Sequence, residues 1–508
     1  MPRLITALLL AAISCVPVGA AEQFSPAGIT IDQLYAKTRV AGGRLMAGAY
    51  HAASRDTSNA GDVWTIDSYW DGEDYRTTVT QGSFVTSYGS YRGQQWYQDE
   101  NGYVVSSSDA ASEHDPFVAA FAGPGTPAGV SLLGMASDPA SFVVEAAPRT
   151  GLVERRYYDA TNYLLDRLER VDYDGHKRVW TYGDYAPHEG RSISRSVTFA
   201  IDGKIQSRSE LLKFERVPTN AVRLAMPESK ALFDLGSRDA VEIPAQFTDD
   251  GVIVRVGING RGLDFILDSG ASNIVLDPQI ARELGMSSSG AEMVSFAGDY
   301  TIADSRAPDL TVGELRAANV AVSTANFQWQ GEGRKIVGLL GADFIGSGVL
   351  EVNFEKSRLV LRRSVPPDLA AAGWSVLPLR LDWEVPLVNA AFSGRQGYFI
   401  ADLGADESML YPHYFSQFHI AIPRGAQDQG EMITLGGKPF GIKHFTMDSL
   451  VLGDWVFGRA QVVVPSASYA QERDYDGLIG RNTLSLFNLI FDYRNRQLWF
   501  KPIDTGSK

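Results

Sequence analysis

Two acidic residues, Asp268 and Asp402, sit in near-identical surroundings 134 positions apart. The first lies in Phe265-Ile266-Leu267-Asp268-Ser269-Gly270-Ala271, the second in Phe399-Ile400-Ala401-Asp402-Leu403-Gly404-Ala405. The agreement runs outward without a gap: Asn259-Gly260-Arg261 stands where Ser393-Gly394-Arg395 stands. Downstream, Gly338-Leu339-Leu340-Gly341-Ala342-Asp343-Phe344 is matched by Gly477-Leu478-Ile479-Gly480-Arg481-Asn482-Thr483. A carboxyl can hold or pass on a proton, so two delivered to equivalent places suit acid–base chemistry where the copies meet. Each follows an apolar run that reads as a strand and precedes a glycine that lets the chain turn tightly. An isolated Asp-Ser-Gly is more often an ordinary turn that bonds its own backbone. The paired occurrence with matched flanks argues for a site.

These residues resemble the aspartic proteases, specifically a retropepsin-like lobe present twice in one chain, as in pepsin-like enzymes. In that family each lobe supplies a hydrophobic-hydrophobic-Asp-[Ser/Thr]-Gly-Ala loop, and an apolar-apolar-Gly segment packs beneath it. Ile266-Leu267-Asp268-Ser269-Gly270-Ala271 with Leu339-Leu340-Gly341 meets both requirements, and Ile400-Ala401-Asp402-Leu403-Gly404-Ala405 with Leu478-Ile479-Gly480 meets them less well. The resemblance covers roughly half the chain. It implies that Asp268 and Asp402 are the catalytic pair, supported by Ser269, Gly270, Ala271, Leu403, Gly404 and Ala405. Two carboxyls about 3 Å apart cannot both ionise, so they share a proton. One then acts as base on a trapped water while the other donates to the scissile carbonyl. No covalent intermediate, cofactor or metal is implied.

Leu403 departs from the family pattern, in which a hydroxyl at this place reaches across to the other lobe's loop. Ser269 alone would then supply the grip. Three outcomes stay open: backbone contacts around Gly404 hold the geometry; the second lobe has become a non-catalytic partner in a peptide-binding protein; or two chains pair their first lobes, Asp268 facing Asp268. The family also closes its site with glycine-containing hairpin flaps. Phe296 and Gly298 in the first copy, and Leu435, Gly436 and Gly437 in the second, are the candidates, with plain hairpin tips the bland alternative.

The elements that must position these residues are mainly β. From residue 22 to 235 the signals are those of an antiparallel sheet. Runs such as Val63-Trp64-Thr65-Ile66-Asp67-Ser68-Tyr69-Trp70 are punctuated by Asp71-Gly72, Asn101-Gly102, Asp174-Gly175 and Asp202-Gly203, strong hairpin signals. This region is loosely similar to the half-barrel domains of periplasmic lipoprotein carriers; a sheet that only packs against the rest fits it equally well. Residues 121–140 read as loop with a short helix, and residues 226–244 as a connector. The first lobe is expected over 241–363 and the second over 374–505, with a short helix after Gly341 and after Gly480.

The bulk numbers narrow the partners. With 508 residues, 44% hydrophobic and 21% charged, the chain has room for about three domains of typical size. Residues 1–21 read as a signal peptide: Arg3, an apolar core over 4–13, then Val18-Gly19-Ala20 as a small-residue cleavage site. A periplasmic or secreted location follows as the expectation, with no membrane span. Cys15, the only cysteine, falls inside this segment and would carry a lipid anchor only if Ala12-Ile13-Ser14-Cys15 is a lipoprotein box. A formal charge of −14 without any basic block disfavours nucleic acid. The seven histidines are scattered and lack metal-binding spacing. A peptide or unfolded protein is the substrate that the resemblance implies.

Overall fold

A computed structural model of the chain describes residues 24–42, 48–72, 74–106, 129–146, 153–171, 176–295, 299–326, 330–331, 334–382, 384–418, 428–433, 439–465 and 475–504. The expected signal peptide, Cys15, and the flap candidates Phe296, Gly298, Leu435, Gly436 and Gly437 lie outside the described residues.

The molecule is mainly β. Its first part is a 13-stranded sheet that begins at strand Ala49–Ser58 and includes Lys204–Val217, with every neighbouring pair antiparallel. Among the described residues, Asp71-Gly72, Asn101-Gly102 and Asp202-Gly203 each stand at a hairpin turn. Asp202 (φ 48°) and Gly203 (φ 76°) both take positive φ between strands Ser196–Ile201 and Lys204–Val217, the backbone that a two-residue hairpin with matching twist demands. Helix Ile31–Ala41, opened by a capping box between Thr30 and Gln33, buries Leu34 and Tyr35 against Val130, Phe142, Val144 and Tyr158 of this sheet.

Two further sheets share one strand order. The first runs Ala245–Thr248, Gly251–Ile258, Arg261–Leu267, Arg334–Leu340, Val275–Leu276, Leu315–Ala325, Asp299–Val312, Ser288–Ser295. The second runs Arg380–Asp382, Val385–Phe392, Arg395–Ala401, Gly477–Ile479, Met409–Leu410, Trp455–Pro465, Pro439–Leu452, Asp428–Ile433. In each, the second strand also pairs with the seventh, which closes six strands into a barrel. In each, the strand that delivers the aspartate lies parallel to the apolar strand that leads into Gly341 or Gly480. That strand is buried on both faces, which is why it reads as a continuous apolar run instead of an alternating one.

A six-stranded sheet joins the two lobes, in the order Ala240–Ile243, Arg358–Arg362, Val349–Asn353, Phe487–Asp492, Gln497–Pro502, Ser375–Pro378. Three strands belong to each lobe, and the two sets meet where Glu351 pairs with Ile490. One apolar core runs through both barrels, this sheet and the edge of the N-terminal sheet, where Tyr97, Tyr103 and Val105 join it. The short helices expected after the two glycines are Ala342–Ile345 and Arg481–Leu484.

Two expectations are corrected. Strand Val130–Ser137 occupies ground read as loop: Gly134, at φ 140° beside a bulge, interrupts the alternation by which a strand is recognised. The connector over 226–244 contains strand Ala240–Ile243, whose four residues are too few to show a period and whose place is set by pairing with Arg358–Arg362.

Candidate active site

Each aspartate emerges from its strand into a loop fastened from below. Asp268 N–H donates to the Leu340 carbonyl at 3.1 Å, and Asp402 N–H to the Ile479 carbonyl at 3.0 Å. Ala342 N–H reaches the Ala271 carbonyl at 2.9 Å and Arg481 N–H the Ala405 carbonyl at 2.8 Å. A side chain on the glycine between these contacts would strike backbone, since a Cβ on Gly341 would lie 2.3 Å from the Asn273 oxygen. The apolar-apolar-Gly segment is therefore the platform of the loop.

Above the platform the loops interlock. Asp268 Oδ1 accepts from Gly270 N–H at 2.8 Å and Ala271 N–H at 3.1 Å; Asp402 Oδ1 accepts from Gly404 N–H at 2.8 Å and Ala405 N–H at 3.2 Å. Each carboxyl also lies against the opposite loop's glycine. A Cβ added to Gly404 would come 2.4 Å from Asp268 Cγ, and one added to Gly270 would come 2.6 Å from Asp402 Oδ2. The two carboxyls hydrogen-bond each other. The cross-lobe grip is one-sided: Ser269 Oγ donates to the Ala401 carbonyl at 2.6 Å and accepts from Leu403 N–H at 2.9 Å. Leu403 returns no bond from its side chain, which is fully buried in the core.

Burial, then the charge of Asp402 and the hydrogen bond with it, hold Asp268 well above the usual carboxylate range. Burial also raises Asp402, although N–H groups of Gly404, Ala405 and Gly270 pull the other way. Both residues retain some exposed surface. Two carboxyls this close favour sharing one proton, an arrangement in which one oxygen can take a proton while another gives one.

The structure thus brings together Asp268, Asp402, Ser269, Gly270, Ala271, Leu403, Gly404 and Ala405. It also adds residues that motif spacing did not single out. Arg481, 8% exposed, forms an ion pair through Nη2 with Asp406 and extends Nη1 to the Thr248 carbonyl at 3.4 Å, tying the second loop to a strand of the first lobe. Asp343 and Asn482 fasten the chain after each loop, accepting from Ile274 N–H at 3.0 Å and Ser408 N–H at 2.9 Å. Both stand two residues after the platform glycine, so the copies laid side by side display the signal.

Two barrels of like topology on a shared six-stranded sheet, with one aspartate from each at the junction, define a bilobal aspartic-protease fold. Residues 254–344 match the family model described as aspartyl protease. No curated protein matches. Among solved structures, an aspartic proteinase from Irpex lacteus is similar at 13% identity and a TM-score of 0.37, covering 53% of this chain and 98% of that one. A retropepsin-like aspartic protease from Rickettsia conorii is similar at 19% identity and a TM-score of 0.21, covering 25% of this chain and 89% of that one. A LolA superfamily protein from Nitrosomonas europaea is similar at 12% identity and a TM-score of 0.29, covering 38% of this chain and 96% of that one.

Proposed function

We propose that this chain is an exported aspartic endopeptidase whose two lobes arose by duplication and form one site with Asp268 and Asp402 as the acid–base pair. The observation that carries this reading is reciprocal: each carboxyl rests against the other loop's glycine and bonds its partner, as a proton-sharing pair requires. A water seated between the carboxyls gives a proton to the ionised one as its oxygen attacks the peptide carbonyl carbon. The protonated carboxyl gives its proton to the carbonyl oxygen, which yields a neutral gem-diol. That diol collapses as the C–N bond breaks, the amine leaves with a proton from the pair, and a carboxylic acid remains. Water is the only co-reactant. Export rests on the N-terminal segment and the substrate class, peptide or unfolded protein, on the family match.

The test is cleavage of an unfolded protein across pH by the wild type, Asp268→Asn and Asp402→Asn. Loss in both variants is the expected result. Loss in Asp268→Asn alone would mean that first lobes of two chains pair, and a wild type inactive at every pH would make the protein a peptide binder with a degenerate site.

A further inference from the structure

The two lobes differ at one fastening point. Asn482 shows that a neutral amide suffices to accept the N–H of the chain leaving the loop; the first lobe uses a carboxylic acid, Asp343, for the same bond. What faces each position explains the difference. The turn after strand Gln94–Gln98 of the N-terminal sheet enters the first lobe there. Asp99 Oδ1 accepts from Asn101 N–H at 3.0 Å and Tyr103 N–H at 2.6 Å. Asn101 docks on strand Leu315–Ala325 like an added strand residue: Oδ1 accepts from Ala321 N–H at 2.8 Å, and Nδ2 donates to the Ala321 carbonyl at 3.0 Å. The same Nδ2 lies 3.3 Å from Asp343 Oδ1. The carboxyls of Asp99 and Asp343, 8% and 2% exposed, then hydrogen-bond each other. Ionised carboxylates only accept, so one of the two must carry a proton.

We propose that Asp99 and Asp343 form a single-proton clasp that docks the N-terminal sheet on the first lobe and, through Ile274, steadies the loop bearing Asp268. Loss of the proton opens the clasp. Asp99 is thereby a positioning residue supplied by the N-terminal sheet. Its effect on catalysis rests on the function proposed above; the clasp itself does not.

The surroundings oppose ionisation. Glu100, Asp304 and Glu384 line the same small enclosed space, and among the described residues Glu384 Oε1 is buried without a hydrogen-bond partner. Tyr97 and Tyr103 approach from the N-terminal sheet, and Arg496, whose guanidinium bonds Ser106, is a nearby cation. Burial, then the charge of Asp343, pushes Asp99 well above the ordinary 3.8, and burial raises Asp343 as well. Folded-state values above the unfolded ones mean that the docked state binds more protons than the undocked one. Docking is therefore tightest below the ordinary aspartate pKa and weakens as pH rises through the clasp's own titration.

Hydrogen exchange of the full chain, corrected for intrinsic rates and followed from pH 4 to 8 in residues 99–103 and 270–274, tests this. Asp99→Asn keeps the acceptor for Asn101 and Tyr103 and donates to Asp343 at every pH. In the wild type the opening constant of both segments should rise together, by up to about tenfold per pH unit for one proton lost. In Asp99→Asn it should stay flat, and the alkaline fall of kcat should move to higher pH with KM unchanged. Asp343→Asn, which copies Asn482, should behave alike and serves if the first variant does not fold. The proposal is overturned if both variants keep the wild-type slope, or if the two segments open independently. It is also overturned if added potassium or calcium removes the slope and a chelator or desalting restores it, for then a cation fills the space. Flat exchange in the variants with no peptide cleaved by any form would refute the protease reading and leave the clasp standing.

Discussion

Replacing Ser269 by alanine removes the hydroxyl that joins the loops of the two lobes. Ser269 Oγ bonds the Ala401 carbonyl at 2.6 Å and Leu403 N–H at 2.9 Å, and the residue is 0% exposed. Water cannot substitute at such a place, and Leu403 has no hydroxyl with which to answer from the other side. The change strands a buried carbonyl and a buried N–H, each costing about 1–3 kcal/mol, so the expected loss is about 2–6 kcal/mol. Against the roughly 5–15 kcal/mol that holds a typical fold, that is a large fraction. Urea unfolding followed by tryptophan fluorescence measures it, and peptide hydrolysis measures its consequence. On the proposed mechanism the loops carry the reacting groups, so kcat should fall more than KM rises. Ser269→Thr keeps the oxygen and should restore both. An alanine variant with an unchanged urea midpoint and full kcat would refute the Ser269 hydroxyl grip and with it the account of how Leu403 is tolerated.

Four further outcomes are expected. Asp268→Asn and Asp402→Asn should each lower kcat by about 10²–10⁴-fold, the usual worth of a positioned acid or base, in a discontinuous peptide assay. Burial raises both carboxyls, so the folded pair keeps a proton that unfolded aspartates, at 3.8, release; stability and kcat should both decline as pH rises above that range. Melting points across pH should show a shallower decline in either Asn variant, and an identical decline would discount the pair as its source. Gly404→Ala puts a methyl group 2.4 Å from Asp268 Cγ, where carbon contacts normally begin near about 3.5 Å, so activity should vanish while the barrels still melt cooperatively. Arg481→Met forfeits charged hydrogen bonds at a buried site and should cost about 1.5–3 kcal/mol in urea unfolding; no shift would make that ion pair ornamental.

The paired loops were legible because their chemistry is local: an apolar strand, an acid, a glycine, and the platform segment at similar spacing in both copies. Hairpin dipeptides such as Asp202-Gly203 were legible for the same reason, since the turn's backbone angles select them. What stayed hidden depends on partners distant in sequence. Ala240–Ile243 is a strand only because Arg358–Arg362 lies beside it, and Val130–Ser137 loses its alternation at Gly134. The contrast between Asp343 and Asn482 was visible in the aligned copies. Its meaning was not, because nothing near Asp343 in sequence announces that Asp99 arrives from 244 residues earlier. The clasp belongs to the tertiary fold, whereas the aspartate pair is written into a repeated motif.

The six-stranded sheet has a consequence for how the protein withstands cutting. Backbone pairing across Leu350–Phe491, Glu351–Ile490 and Val352–Leu489 stitches the halves together without help from the peptide that links them over residues 364–368. Scission there would leave two fragments on a denaturing gel yet one particle in a sizing column. Covalent continuity through that joint serves the chain while it folds and becomes redundant afterwards.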